Sequence, residues 1–458
     1  MSNKHLYLKI AFSAISFIIG FLSPFFIATQ LIDAQLPPQP PKFTGRYIAA
    51  ISDDDFLAST YGDGKLPTPT VGDKLSIIGL PLKDKEDYAQ VYASNSVIGA
   101  PYALALAPDS RTAFVVETLK AIPVGATRRE QLQPGNQLVA IDLSNPRRPT
   151  IRSRIEIAPK PETVHVHPNG DLVAISTQTP DKEIILIPVQ NNQLGQPREF
   201  SLARLKIQSD PKRFQNGMYV SQVQWHPSGK YLAVNLDYRD EIAFYEVQEN
   251  AENNLQLIPW GFPVQVGKDP FTGQFTPDGR FYLSSNWGRN FGAQVKTLEQ
   301  RLPETRGTVS VIELAKLNTP ASQAQHRVVS NAIADNSPES LAISPDGSKV
   351  VTVNMRGTAF APNSPRFTRQ ATLSLMKLDR TGQLTKIDDY PFEGILPEGA
   401  AFDASGNTLA VAVYDYFTPK PEGGIEFWQV IQKPKLGLQR TNYIVDVGRG
   451  VHQILVAR

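Results

Sequence analysis

A strand, a tight turn and a second strand recur six times along this chain, and that recurrence leaves few folds open. The clearest copy is SPESLAISPDGSKVVTVN, from Ser337 to Asn354. Its apolar first half, Pro-Asp-Gly-Ser turn and β-branched second half read as a β-hairpin with suitable turn chemistry. The other copies are YALALAPDSRTAFVVE from Tyr102, ETVHVHPNGDLVAIS from Glu162, SQVQWHPSGKYLAVN from Ser221, FTGQFTPDGRFYLSSN from Phe271 and EGAAFDASGNTLAVAV from Glu398. Aligned on the turn glycine or its equivalent, they fall at Ser110, Gly170, Gly229, Gly279, Gly347 and Gly406, between 50 and 68 residues apart.

Each interval holds about four strands. A third strand of constant character follows every hairpin: QLVAIDL from Gln137, EIILIPV from Glu183, EIAFYEV from Glu241, TVSVIEL from Thr308, ATLSLMKL from Ala371 and GIEFWQV from Gly424. A weaker fourth strand comes next, as in IRSRIEI from Ile151. Four-stranded units in a ring are the blades of a β-propeller, an all-β fold that closes on itself and leaves no long sheet edge exposed. The chain ends give the number. GVHQILVAR from Gly450 reads as a first strand without a hairpin partner, while RYIAAIS from Arg46, KLSIIGL from Lys74 and YAQVYAS from Tyr88 read as second to fourth strands. Joined, they complete a seventh blade, and the 414 residues from Gly45 to Arg458 are about seven times the recurring interval of 59.

Ahead of this body, Lys4, His5 and Lys9 precede an apolar run from Ile10 to Ala28. Residues 1–34 are expected to be an export signal cut near Ala34 or, in the competing reading, an uncleaved membrane anchor. Either places the body outside the cytoplasm, in the periplasm or secreted. Residues 35–44, beginning QLPPQPPK, form a proline-rich linker. The absence of cysteine excludes disulfides, thiolate metal sites, nucleophilic thiols and a lipidated N-terminal cysteine. A net charge of +2 gives no field suited to nucleic acid. There is no G-x-S-x-G elbow, HExxH, phosphate-binding loop or dinucleotide fingerprint, so serine-hydrolase, zincin and nucleotide readings have no support.

The repeats resemble the lactonase-like, or YVTN-type, seven-bladed propellers, whose hallmark is a PDG turn followed by a strand and Asn, as in SPDGSKVVTVN. The resemblance covers Gly45 to Arg458 and implies the fold. That superfamily includes 6-phosphogluconolactonase-type enzymes, surface-layer proteins and electron-transfer subunits, so the resemblance leaves the activity open. Family lactonases often carry Pro-His at one ring position, where this chain has Pro161-Glu162, Pro338-Glu339, Pro397-Glu398 and Val451-His452.

Eight positions before each turn reference stand Tyr102, Glu162, Ser221, Phe271, Glu339 and Glu398, and the C-terminal strand supplies His452. First strands line the axis of a propeller, so these seven side chains are expected to rim one mouth of the channel. Blade order sets Glu339, Glu398 and His452 side by side, an acid/base set or a metal site. Asp53, Asp54 and Asp55 adjoin the ring and could join Glu398 and His452 in holding a divalent cation, the expected calcium or magnesium set being Glu339, Glu398 and Asp53. Polar residues at strand ends also serve only to bind neighbouring backbone. His167 and His226 lie in turns at the far end and are expected to stabilise them.

Long loops at the mouth, 119–136, 287–306 and 355–370, carry Lys120, Arg128, Arg129, Arg289, Lys296, Arg301, Arg306, Arg356, Arg366 and Arg369 against three glutamates. A cationic canopy suits an anionic ligand. Two functions follow as expectations. In the first, an exported monomeric hydrolase opens a small anionic sugar lactone or ester: Glu398 or His452 activates water, Glu339 orients that activating group or a metal, and Glu162, Tyr102, Asn286, Arg289, Asn354 and Arg356 hold the ligand. In the second, the same surface is a non-catalytic module binding a ligand, protein or cell-envelope component.

Overall fold

The computed structural model describes residues 39–458, except 68–71, 211, 213–218, 252–253, 293, 296 and 420–421. The expected signal or anchor at 1–34, the first part of the linker and Lys296 lie outside the described residues.

Seven antiparallel sheets are arranged as the repeats require. Blade 1 runs outward through Leu104–Leu106, Thr112–Leu119, Pro134–Asp142 and Thr150–Glu156. Blades 2 to 6 begin at Pro161–Val166, Gln222–Trp225, Pro270–Phe275, Pro338–Ile343 and Ile395–Phe402. Blades 2 and 3 each add a short extra segment, Arg198–Phe200 and Val264–Gln265, to the third strand. The six hairpin turns are alike. In each, the reference residue donates its N–H to the carbonyl three residues back, as Gly347 does to Ser344 O at 2.8 Å. All six have positive φ, from 57° at Ser110 to 80° at Gly170, which is why glycine fills five of them.

Two turn histidines tie blades together at the end away from the long loops. His167 Nε2 meets Gly229 O at 2.9 Å and His226 Nε2 meets Gly279 O at 2.8 Å. A Cβ on either glycine would lie within 2.4 Å of the ring nitrogen, so the turn and the strut both require glycine. The expected stabilising role of these histidines is thus met by a bond to the next blade. His165 Nδ1 accepts the Trp225 N–H at 3.3 Å and His326 Nδ1 accepts the Ala315 N–H at 3.1 Å.

Blade 7 closes the ring. Val451–Ala457 is its inner strand, followed outward by Tyr47–Ser52, Asp73–Gly79 and Tyr88–Ser94. Tyr47 pairs with Ala457 and Ile51 with Gln453, and the seam ends in Arg46 N to Ala457 O at 2.8 Å and Asp53 N to Gly450 O at 2.7 Å. All six residues of Tyr47–Ser52 are buried. Ile48 and Ala50 face Ala412, Ile425 and Phe427 of blade 6, while Ala49 and Ile51 join a cluster with Ala113 and Val115 of blade 1. Ile48 and Ile51, so buried, each contribute about 1.5–3 kcal/mol. On the axis, Gln453 exchanges both of its amide bonds with Leu104, at 2.8 and 2.9 Å. Deleting 451–458 exposes the full edge of Tyr47–Ser52, so we expect loss of the cooperative thermal transition in circular dichroism and gain of dye-binding apolar surface. A sharp melt at the full-length temperature would contradict the closure described.

Candidate functional site

In five blades the strand pairing slips at the ring position. Pro161 pairs with Thr177 but Thr163 with Ser176, leaving Glu162 as an extra residue. The same irregularity falls at Phe271, Glu339, Glu398-Gly399 and His452. A β-bulge re-aims the side chain it carries, and in four of these blades that residue, Glu162, Phe271, Glu339 or Glu398, lines the mouth cavity.

Above them lies a cavity of about 840 Å³ whose lining includes Glu162, Glu339, Glu398, Arg129, Arg289, Arg301, Lys160, Tyr61 and Tyr219. The roof is a packed apolar layer drawn from the loops, including Phe56, Leu119, Leu132, Trp287, Leu302, Met355 and Phe360. One turn of helix, Leu298–Arg301, is started by a capping box in which Thr297 Oγ1 accepts the Gln300 N–H at 3.2 Å and Gln300 Oε1 accepts that of Thr297 at 3.3 Å. It presents Arg301 to the cavity. Arg366 braces the far end by donating to Glu299 O, Leu302 O and Pro303 O at 2.7, 3.1 and 2.8 Å.

Much of the expected cationic canopy is therefore spent on structure. Arg306 faces Asp335 and Asp389, and Arg369 faces Glu393. Arg356 lies outside the cavity lining, with Nε 3.6 Å from Asp335. Arg289 does line the cavity but is committed to Asp269 through Nε and an Nη at 2.8 and 3.0 Å, with Asp237 at 3.5 Å. Phe271, Trp287 and Phe291 surround its guanidinium, 4.1–4.8 Å from the ring centres. Burial opposes its charge, but the two aspartates outweigh burial and hold it protonated. Arg301 differs: its Nε is buried without a hydrogen-bond partner among the described residues. Burial, then the neighbouring Arg289 and Arg129, makes its charge less favourable. An incoming anion would relieve that.

Three other expected ligand residues are placed elsewhere. Asn286 Nδ2 donates to Thr308 Oγ1 and Ser310 Oγ at 3.0 and 2.9 Å, and Asn354 Nδ2 does the same to Thr372 Oγ1 and Ser374 Oγ at 3.2 and 3.0 Å. These amides join the second strand of a blade to the third, because an Asn two residues after a Ser or Thr meets a matching T-x-S. Tyr102 donates its hydroxyl to Leu341 O at 3.4 Å and lines a second, narrower cavity of about 170 Å³.

The carboxyls behave differently from one another. Glu162 receives the Tyr219 hydroxyl at 3.3 Å and the Gln178 amide, whose Oε1 in turn receives Lys160 Nζ at 2.9 Å. Gly99, at φ 139°, lets the backbone lie against this carboxylate, where a Cβ would stand 2.5 Å from Oε2. Burial pushes Glu162 up to about 7 against the pull of Lys160, Tyr219 and Gln178. Glu339, with Oε1 unpartnered, is held well above the carboxylate range by burial and by Glu398. Glu398 is held there by burial and Asp53. His452 is fully buried, outside the cavity lining, and touches Glu398 Oε2 with Nδ1 while Nε2 lies 3.3 Å from Ala100 O. Burial pushes it down. Nε2–H donates to the carbonyl, so Nδ1 is free to accept the proton of a neutral Glu398.

The expected metal set of Glu339, Glu398 and Asp53 does not assemble. Among the described residues, the carboxylates close enough to share an ion are Asp53, Asp55 and Asp73. Lys160, Gln178, Tyr61, Tyr219 and Asp73 carried no sequence signal, because they reach the mouth from loops or a neighbouring strand.

Two outcomes follow from these charges. A neutral Glu162 stabilises the fold fully below about pH 4.5, and that contribution is lost as pH rises through about 7. Glu162→Gln should therefore match the parent at pH 4 and exceed its unfolding free energy at pH 8 by on the order of 3 kcal/mol in denaturant titrations. Arg289→Met strands Asp269 and Asp237 and should cost about 3–5 kcal/mol in the same measurement.

Similarity to known proteins agrees with this architecture. The chain matches no curated protein. Among solved structures it is similar to a candidate 6-phosphogluconolactonase from Bacteroides fragilis at 16% identity, over 91% of this chain and 100% of that one, with a TM-score of 0.59. It is also similar to the periplasmic gluconolactonase PpgL of Pseudomonas aeruginosa at 18% identity, over 90% and 99%, with a TM-score of 0.57. At such identities these neighbours establish the fold. The family model described as "Lactonase, 7-bladed beta-propeller" matches residues 65–415, and the chain belongs to that family.

Proposed function

We propose that the mouth cavity is the active site of a hydrolase that opens a small sugar lactone, or a related ester, bearing a carboxylate or phosphate. The observation that carries this reading is one cavity lined by three buried carboxyls of unlike proton affinity together with Arg301, Arg129 and Lys160. Membership of the lactonase family and the gluconolactonase named among the neighbours favour this reaction class. The apolar run at Ile10–Ala28 and the lack of cysteine favour a site of action outside the cytoplasm.

Glu162 is the group best matched to taking a proton from water near neutral pH, since a base works best when its affinity lies near the working pH. Glu339, neutral and with a free oxygen, donates its proton to the departing ring oxygen. Glu398 and His452, either of which was expected to activate water, share a proton with each other; His452 lies outside the lining of the mouth cavity and positions Glu398. Arg301, helped by Arg129, binds the anionic group and draws the carbonyl toward the carboxyls.

The test is lactone turnover by the purified protein, corrected for spontaneous opening, on paired substrates with and without an anionic substituent. The parent rate should rise with pH with a midpoint near 7. Glu162→Gln should lower kcat by about 10²- to 10⁴-fold. Arg301→Gln should raise KM for the anionic substrate only. Saturable binding with no turnover of any lactone would replace the enzyme reading with the ligand-binding module, and an unaltered kcat in Glu162→Gln would remove the assignment of the base.

A further inference from the structure

The closing blade holds a second cluster of acidic groups that the proposed chemistry does not use. Asp53 and Asp55 follow directly on the strand Tyr47–Ser52, and Asp73 opens the next strand. One carboxylate oxygen from each lies within 4.8 Å of the other two. All three residues are buried, at 0%, 4% and 0% exposure.

Their hydrogen bonds are unequal. Asp53 is well served, with Oδ2 receiving the Tyr61 and Tyr414 hydroxyls at 3.0 and 3.1 Å and Oδ1 receiving Ser96 Oγ at 3.3 Å. Asp73 Oδ1 accepts the Asp54 N–H at 2.9 Å. Asp73 Oδ2 and both oxygens of Asp55 have no donor among the described residues. The nearest cations are engaged elsewhere: Lys74 pairs with Asp54 at 2.7 Å, and Arg449 donates to the Asp54 carbonyl at 3.0 and 2.7 Å. His452 is committed to Glu398 and Ala100. Three carboxylates are therefore buried together with both oxygens of Asp55 and one of Asp73 lacking a donor, an arrangement that costs several kcal/mol unless charge is supplied.

We propose that Asp53, Asp55 and Asp73 bind one hard divalent cation, of the calcium or magnesium class, that pins the mouth end of the closing blade. The donors are all carboxylate oxygens, which suits these ions and not the softer transition metals. Oxygens sharing one calcium ion can stand no more than about 4.6–5.2 Å apart, twice the usual 2.3–2.6 Å bond, and these three all lie within 4.8 Å of one another. The ion joins the end of Tyr47–Ser52 to the start of Asp73–Gly79, next to the residue pair Asp53 and Gly450 where the chain termini meet. It thereby couples cation supply to ring closure.

The alternative is that the cluster is neutralised by protons, since Asp55 is pushed up to about 10 by burial and then by Asp53. Melting of the full chain, stripped with a chelator and returned to calcium or magnesium at neutral pH, separates the two. The bound ion should raise the melting temperature by a few degrees and appear at about one per chain by elemental analysis. Terbium, excited through Tyr61 and Tyr414 beside Asp53, should luminesce and be displaced by the native ion. In Asp55→Asn all three responses should vanish, while in chelator that variant melts at or above the parent because one repulsive charge is gone. That second reading shows that the variant folds. No metal-dependent shift in the parent, or a shift retained in Asp55→Asn, overturns the site.

Discussion

Main-chain pairing between the two ends of the polypeptide is the constraint on which the rest of this molecule hangs. Seven blades close only if Val451–Ala457 enters the sheet begun by Tyr47–Ser52, and the price of that closure is a loop of about four hundred residues. Loop entropy grows only logarithmically with length, so a modest number of buried contacts suffices. Ile48, Ala50 and Ile454 against blade 6, and Ala49 and Ile51 on the other side, supply them. The same seam sets the chemistry. It brings His452 to Glu398 of the preceding blade and leaves Asp53, one residue past the strand, hydrogen-bonded to Gly450 O. Closure and mouth are thus one structural event.

Much of the fold was legible because hairpin, turn and strand-two asparagine repeat with fixed spacing, and each has a local cause. Five turn glycines sit at positive φ, and Asn286 and Asn354 each find a hydroxyl pair on the next strand. Blade count and the composite seventh blade followed from the same logic. Counting back from the turn also reached four residues that line the mouth cavity, Glu162, Phe271, Glu339 and Glu398, but it grouped with them Tyr102, Ser221 and His452, which do not. Strict alternation along a strand would turn Glu162 and Glu339 into the blade, and only the bulge sends them to the axis.

What the sequence concealed was the fate of its charges. Ten basic residues in three loops look like a recognition surface, but a linear reading cannot see that Arg366 holds three carbonyls of another loop or that Arg289 meets Asp269 and Asp237. Arg289 and Asp269 are separated by a whole hairpin, and Asp73 meets Asp53 only because their strands pair. Tyr219 reaches Glu162 from another blade. Long-range pairing of this kind leaves no periodic trace, so the residues that set proton affinities were the least visible.

Those proton affinities explain why one mouth can hold three glutamates. Fully ionised, they would repel in a medium where a charge pair a few ångströms apart costs several kcal/mol. The structure avoids this by giving them unequal company. Glu162 alone has a nearby ammonium, relayed from Lys160 through Gln178, and two donors, so it ionises near neutrality. Glu398 faces an imidazole nitrogen that accepts its proton, and Glu339 faces Glu398, so both stay neutral. A site built this way carries at most one negative charge toward a ligand held by Arg301. The neutral carboxyls can therefore lie beside an anionic substrate without repelling it, which a mouth of three ionised glutamates could not do.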